Sequence, residues 1–177
     1  DREYLILSDD YVWEEDGKLH IEGGKETVIR CYPKLKDFSV LPDGFEACGL
    51  DHEFTLYRRR EKAEDTRVTV TEGTVGEDSR IYNLKITSPE TWRDTILSLD
   101  FGGDKIEIFR DGEMLTDSYY TGEPVQISLR YFDFPQELQV KIYPLKEDAP
   151  RFLERWPQMK DGCACELYGV GVKNLVW

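Results

Sequence analysis

The sequence predicts an all-β protein, an antiparallel β-sandwich with very little helix. Three observations carry this. Apolar and polar residues alternate with period two through most of the chain, as in strands with one face buried. Turn residues interrupt the alternation at short intervals: Asp16-Gly17, Gly23-Gly24, Pro42-Asp43-Gly44, Gly102-Gly103, Asp111-Gly112, and Gly122 with Pro124. No long segment repeats with the period of 3.6 that marks an amphipathic helix.

In chain order, strands are expected at 4–8, 18–22, 26–32, 53–58, 67–72, 80–86, 94–101, 104–110, 124–130, 137–144 and 165–172. Strand 104–110 puts Ile106 and Ile108 on one face and Lys105, Glu107 and Phe109 on the other. Asp111-Gly112 suits the positive backbone angles of a two-residue type I′ hairpin, after which Met114-Leu115 runs back along the next strand. Gly122 and Pro124 end that strand before another opens at Val125. Single helical turns are expected at 88–94, with Ser88 as N-cap and Pro89 in the first turn, and at 150–156, stopped by Pro157.

At 177 residues the chain can bury a sizeable core, and 40% hydrophobic and 12% aromatic content supports one. The charged stretch 58–67 reads as the internal boundary. It separates an N-terminal β segment, 1–64, from a larger sandwich, 65–177. As a linker it makes 1–64 a small subdomain; as a solvated edge loop it leaves 1–64 within the same sandwich. No internal repeat or low-complexity tract is seen.

The formal net charge of -13 argues against nucleic acid, whose phosphates need clustered Lys and Arg, and against an anionic membrane surface. No apolar run approaches the about 20 residues that cross a bilayer. The opening DREYLILSDD has neither an initiator Met nor a leader-like pattern, and reads as a processed or excised segment. Cys31, Cys48, Cys163 and Cys165 lack the Cys-x2-Cys knuckles of a zinc site. Free thiols in a reducing, cytoplasmic setting are favoured over disulfides in a secreted one.

The stretch 102–129, GGDKIEIFRDGEMLTDSYYTGEPVQISL, followed at 137–150 by ELQVKIYPLKEDAP, carries a recognisable pattern. Gly103-Asp104 enters a strand and Asp111-Gly112 turns it. Tyr119-Tyr120 precede the Gly122-Glu123-Pro124 break, and Ile142-Tyr143-Pro144-Leu145 closes the unit. Together these resemble the jelly-roll, galactose-binding-like accessory domain of bacterial β-galactosidases of glycoside hydrolase family 35. The resemblance covers about 94–153 and is looser over the first sixty residues. Relatives often carry Trp after the Gly-x-Pro break; Val125 stands here. The resemblance implies a non-catalytic module whose partner is the catalytic barrel of its parent chain, with an oligosaccharide as the second partner to consider.

Retaining glycosidases need two carboxylates about 5 Å apart. In the family these sit on an α/β barrel of about 250 residues, which this chain cannot contain. Glu14-Glu15 and Asp9-Asp10 are adjacent pairs, so on a strand they face opposite ways. His20 and His52 lack a nucleophile in a recognisable elbow. No catalytic residue is therefore assigned.

Sugar binding needs exposed aromatic faces and polar partners for hydroxyls. The candidates are Tyr119, Tyr120, Trp92, Tyr131 and Trp156, with Asp117, Glu123 and Arg130. Alternation allows only one of Tyr119 and Tyr120 to face outward. A structural calcium is the one cofactor suggested, with Asp100, Asp104 and Asp111 as donors, although six to eight oxygens are needed. Two other readings stay open: a carbohydrate-binding module with its own affinity, and a small β-sandwich glycosidase. An exposed aromatic platform favours the first and a cleft with paired carboxylates the second. A large exposed apolar patch without either favours the packing role.

Overall fold

The computed structural model describes residues 3–36, 39–76, 78–90 and 92–176. The chain forms two compact units, and both are built from β-sheets. The one helical element among the described residues is a 3-10 turn at Arg130–Phe132.

The first unit contains Asp1–Glu64 together with Glu90–Asp94 and Asn174–Trp177. Its strands are β1 (Leu5–Ser8), β2 (Tyr11–Glu15), β3 (Lys18–Glu22), β4 (Glu26–Tyr32), β5 (Ser39–Leu41), β6 (Glu46–Asp51) and β7 (Phe54–Arg60). One sheet has the order β1-β4-β7-β6, the other β2-β3-β5. Alternation decides the faces. In β4, Thr27, Ile29 and Cys31 are buried while the residues between them look outward. Leu19 and Ile21 of β3 complete a small core with Ile29, Cys31 and Tyr57. The pairing of β3 with β5 is parallel, a departure from the all-antiparallel expectation.

The second unit contains Asp65–Pro89 and Thr95–Lys173. Its strands are β8 (Arg67–Val75), β9 (Arg80–Thr87), β10 (Asp94–Gly102), β11 (Lys105–Arg110), β12 (Glu113–Tyr119), β13 (Val125–Ser128), β14 (Glu137–Tyr143), β15 (Leu145–Lys146), β16 (Cys163–Ala164) and β17 (Glu166–Leu175). A five-stranded antiparallel sheet, β12-β11-β14-β9-β8, and a three-stranded sheet, β13-β10-β17, enclose the main core. Leu97, Leu99 and Phe101 of β10 and Ile127 of β13 come from the smaller sheet. Leu84, Ile106, Ile108, Val140 and Ile142 come from the larger. Each such side chain, fully buried, contributes about 2 kcal/mol.

Every strand expected from the sequence is present. Additional strands at 11–15, 39–41 and 46–51 lie at sheet margins, and 145–146 pairs with 163–164 as a short two-stranded sheet. All of β6 but its last residue is exposed, so no buried face impresses an alternating pattern on its sequence. Of the two helical turns expected at 88–94 and 150–156, neither forms among the described residues: 88–90 and 92–93 are irregular, Asp94 already opens β10, residue 91 lies outside the described residues, and 150–156 is irregular. In the first, Trp92 is buried and the Arg93 amide donates to the Leu175 carbonyl at 2.9 Å, so tertiary contacts override the capping signal. In the second, Arg151 and Arg155 are drawn outward to Asp104 and Glu123.

The charged stretch 58–67 also takes definite structure. Arg58, Arg59 and Arg60 finish β7. Arg59 meets Glu61 at 2.8 Å, while Arg58 and Arg60 both reach Glu26 at 3.2 Å.

Candidate functional site

The hairpin of β11 and β12 turns on Asp111 and Gly112, with φ of 50° and 84°, as a type I′ turn requires. Its register sets Lys105 opposite Tyr119 and Glu107 opposite Asp117. On the far side, β14 sets Tyr143 opposite Lys105 and Lys141 opposite Glu107. A polar cluster therefore forms on the solvent-facing side of the five-stranded sheet, since Ile106 and Ile108 occupy the other face.

Lys105 Nζ lies 2.7 Å from Asp117 and 3.0 Å from Glu107. The Tyr143 hydroxyl donates to the other Glu107 oxygen at 2.8 Å. Burial pushes the Glu107 carboxyl up, but the Tyr143 hydrogen bond and the Lys105 ammonium outweigh it and hold the group below the usual carboxylate range. The Asp117 and Glu107 carboxylates hold Lys105 well above its usual value.

Of the sequence candidates, Tyr119 and Asp117 share this face, two residues apart on β12. Tyr119 is 58% exposed. Its ring is not a bare platform: Lys105 Nζ is 6.0 Å and the Arg151 guanidinium 5.7 Å from its centroid, which are cation–π distances. Tyr120 turns inward, as alternation requires, and sets its ring edge-on to Phe101 at 5.6 Å. Glu123 pairs with Arg155 at 2.7 Å. Arg130 and Tyr131 follow β13, which pairs in the other sheet, and Trp156 is partly exposed. Trp92 corrects the expectation: it is 3% exposed, and its indole N–H donates to the Glu64 carbonyl at 2.9 Å, so it offers no face to a sugar.

The calcium trio does not converge either. Asp104 precedes β11 and Asp111 follows it, so strand length holds them about 20 Å apart. Asp104 is engaged by Arg151 at 2.9 Å. Among the described residues no group of three or more His, Cys, Asp or Glu side chains could hold a metal.

A cleft with a raised-pKa carboxyl is the mark of a general acid. The carboxylates with perturbed values here move the other way. Asp51 is held low by hydrogen bonds from Arg30 and His52. At Glu61 burial pushes up, but the Lys62 amide and Arg59 prevail. His20 stacks on Trp13 at 5.1 Å, and exposed His52 contacts Asp51 at 3.0 Å.

Sequence reasoning missed a second feature, in the first unit. On the outer face of β1-β4-β7-β6, Leu5 pairs with Tyr32, and the Tyr32 ring meets Phe54 at 6.3 Å. Leu7 pairs with Arg30, which pairs with Leu56. Leu5, Leu7 and Tyr32 are 54%, 44% and 49% exposed. The signal was present: in 4–8 and 26–32 both alternation phases carry large apolar residues.

No family model matches this chain, and no curated protein or solved structure is significantly similar to it.

Proposed function

We propose that this chain is a non-catalytic accessory β-sandwich of a β-galactosidase-like glycoside hydrolase, its second unit a jelly-roll module. It packs against the catalytic barrel of the parent chain and shapes access of substrate to it. The observation that carries this reading is the solvent-facing apolar end of the four-stranded sheet, Leu5, Leu7 and Tyr32 beside Phe54 and Leu56. An apolar surface of this kind gains about 25 cal/mol per Å² when another domain covers it. The carboxylates agree: Asp51, Glu61 and Glu107 are tied to cations and held low, the reverse of what acid catalysis asks.

The test is calorimetric titration of the chain with the separately purified catalytic barrel. A saturable complex, weakened at least tenfold in Leu7→Asp and Tyr32→Asp proteins that keep the parent circular dichroism, is expected. No complex, or one indifferent to both substitutions, overturns the packing role. Turnover of a nitrophenyl galactoside by the chain alone overturns its non-catalytic character.

A carbohydrate-binding module is the second reading, and the exposed Tyr119 ring is what favours it. Loss of saturable sugar binding in Tyr119→Ala would support it.

A further inference from the structure

The outer face of the five-stranded sheet holds a depression of about 430 Å³ away from the Lys105 cluster. Its floor is set by register. Thr71 of β8 stands opposite Asn83 of β9, Asn83 opposite Gln139 of β14, and Gln139 opposite Phe109 of β11. Four strands thus place a hydroxyl, two carboxamides and an aromatic ring in one row at right angles to the strands. Neighbouring strands lie about 4.8 Å apart, so the row is about 14 Å long. Between Ile108 and Phe109 the β11–β12 pairing slips by one residue, which makes Leu115 the extra residue of a bulge on the edge strand. Bulges commonly re-aim side chains beside binding sites.

The chemistry of the row is unusual for this chain. One residue in three is charged overall, yet none of these four is. The next row, Lys85 opposite Glu137, balances one cation with one anion. Gln139 Nε2 donates to Asn83 Oδ1 at 3.3 Å. That bond leaves the Asn83 amide nitrogen and the Gln139 carbonyl oxygen without a protein partner among the described residues. A carboxamide offers a donor and an acceptor side by side, which suits two neighbouring hydroxyls. The half-buried Phe109 ring suits the C–H face of a sugar ring. A phosphorylated or nucleic-acid ligand would need clustered cations, and Lys85 alone does not supply them.

We propose that the row Thr71–Asn83–Gln139–Phe109 is a binding groove for a short neutral oligosaccharide lying across the strands. The groove and the apolar face occupy different units, so this proposal does not depend on the packing role. It differs from the second reading above in the residues that bind, with Tyr119 outside the site.

The experiment titrates the 177-residue chain with neutral β-linked gluco-, xylo-, manno- and galacto-oligosaccharides of two to six units. Calorimetry gives affinity, and backbone amide shifts give location. Saturable binding that strengthens with chain length is expected, with shifts centred on Thr71, Asn83 and Gln139. The Asn83→Ala and Gln139→Ala proteins should each lose at least tenfold in affinity while keeping the parent melting temperature, since both side chains are exposed. Phe109→Ala should lose more, and Phe109→Tyr, which keeps the ring, should restore most of the loss. Tyr119→Ala should bind like the parent. Absence of binding across the panel overturns the proposal. So does binding that survives both amide substitutions, or binding lost in Tyr119→Ala.

Discussion

Lys105 holds two carboxylates at once: its ammonium is 2.7 Å from Asp117 on one neighbouring strand and 3.0 Å from Glu107 on its own. The Tyr143 hydroxyl closes the cluster on Glu107. Replacing Lys105 by Met should raise the Glu107 pKa toward the ordinary carboxylate range, because a main force holding it down is gone. A carbon-13 titration of the side-chain carboxyl reads this directly, and an unchanged value would mean that Lys105 does not set it.

Tyr143→Phe removes one hydrogen bond to a charged, largely covered acceptor. The expected loss is about 1–2 kcal/mol. For a chain of this size, each 1 kcal/mol lowers the melting temperature by about 3 °C. Calorimetric melting checks it.

Stability should fall in acid. Glu61 and Glu107 bind protons more weakly in the folded chain than in the unfolded one. Their contribution is therefore fully present above the unfolded value of about 4.3 and is lost as pH falls through the lower folded values. Urea midpoints should hold between pH 7 and pH 5 and drop steadily below about pH 4.3. A midpoint that rises on acidification would contradict the carboxylate assignments.

Gly103→Ala should be costly although it adds one methyl. A Cβ there would stand 2.5 Å from Ile142 Cγ2 and 2.6 Å from the Tyr143 carbonyl. Neither can yield easily, because Ile142 is fully buried and the carbonyl already accepts the Asp104 amide at 2.8 Å. About 1–3 kcal/mol is expected from such overpacking, measured by urea unfolding.

All four cysteines are free thiols, and their surroundings differ. Burial pushes the Cys31 and Cys165 thiols up, whereas Cys48 is exposed. Iodoacetamide at pH 7, followed by peptide mass spectrometry, should modify Cys48 first. Cys31 should react only when the chain unfolds, since alkylation needs an accessible thiolate.

The alternating pattern by itself determined the all-β class, the position of the main strands and the inward face of β11. Burial of one sheet face imposes a period of two that any single strand displays. The same rule allowed only one of Tyr119 and Tyr120 to face outward, and the structure made it Tyr119; the Asp111-Gly112 hairpin followed from the dihedral freedom of its residues. The strands at 11–15, 39–41 and 46–51 were not legible; β6, exposed along nearly all its length, imposes no alternating pattern on its residues. Trp92 looked like a binding ring but is a core residue; an aromatic side chain is equally suited to both, and only burial chooses between them. The Lys105 cluster was half visible, in the shared face of Lys105 and Glu107; Tyr143 and Arg151 joined it through strand pairing and a loop. The row Thr71–Asn83–Gln139–Phe109 was wholly invisible. Its members lie on four strands that neighbour one another in the order β8-β9-β14-β11, and cross-strand register, a property of hydrogen-bonded pairs, exists only once the sheet has formed.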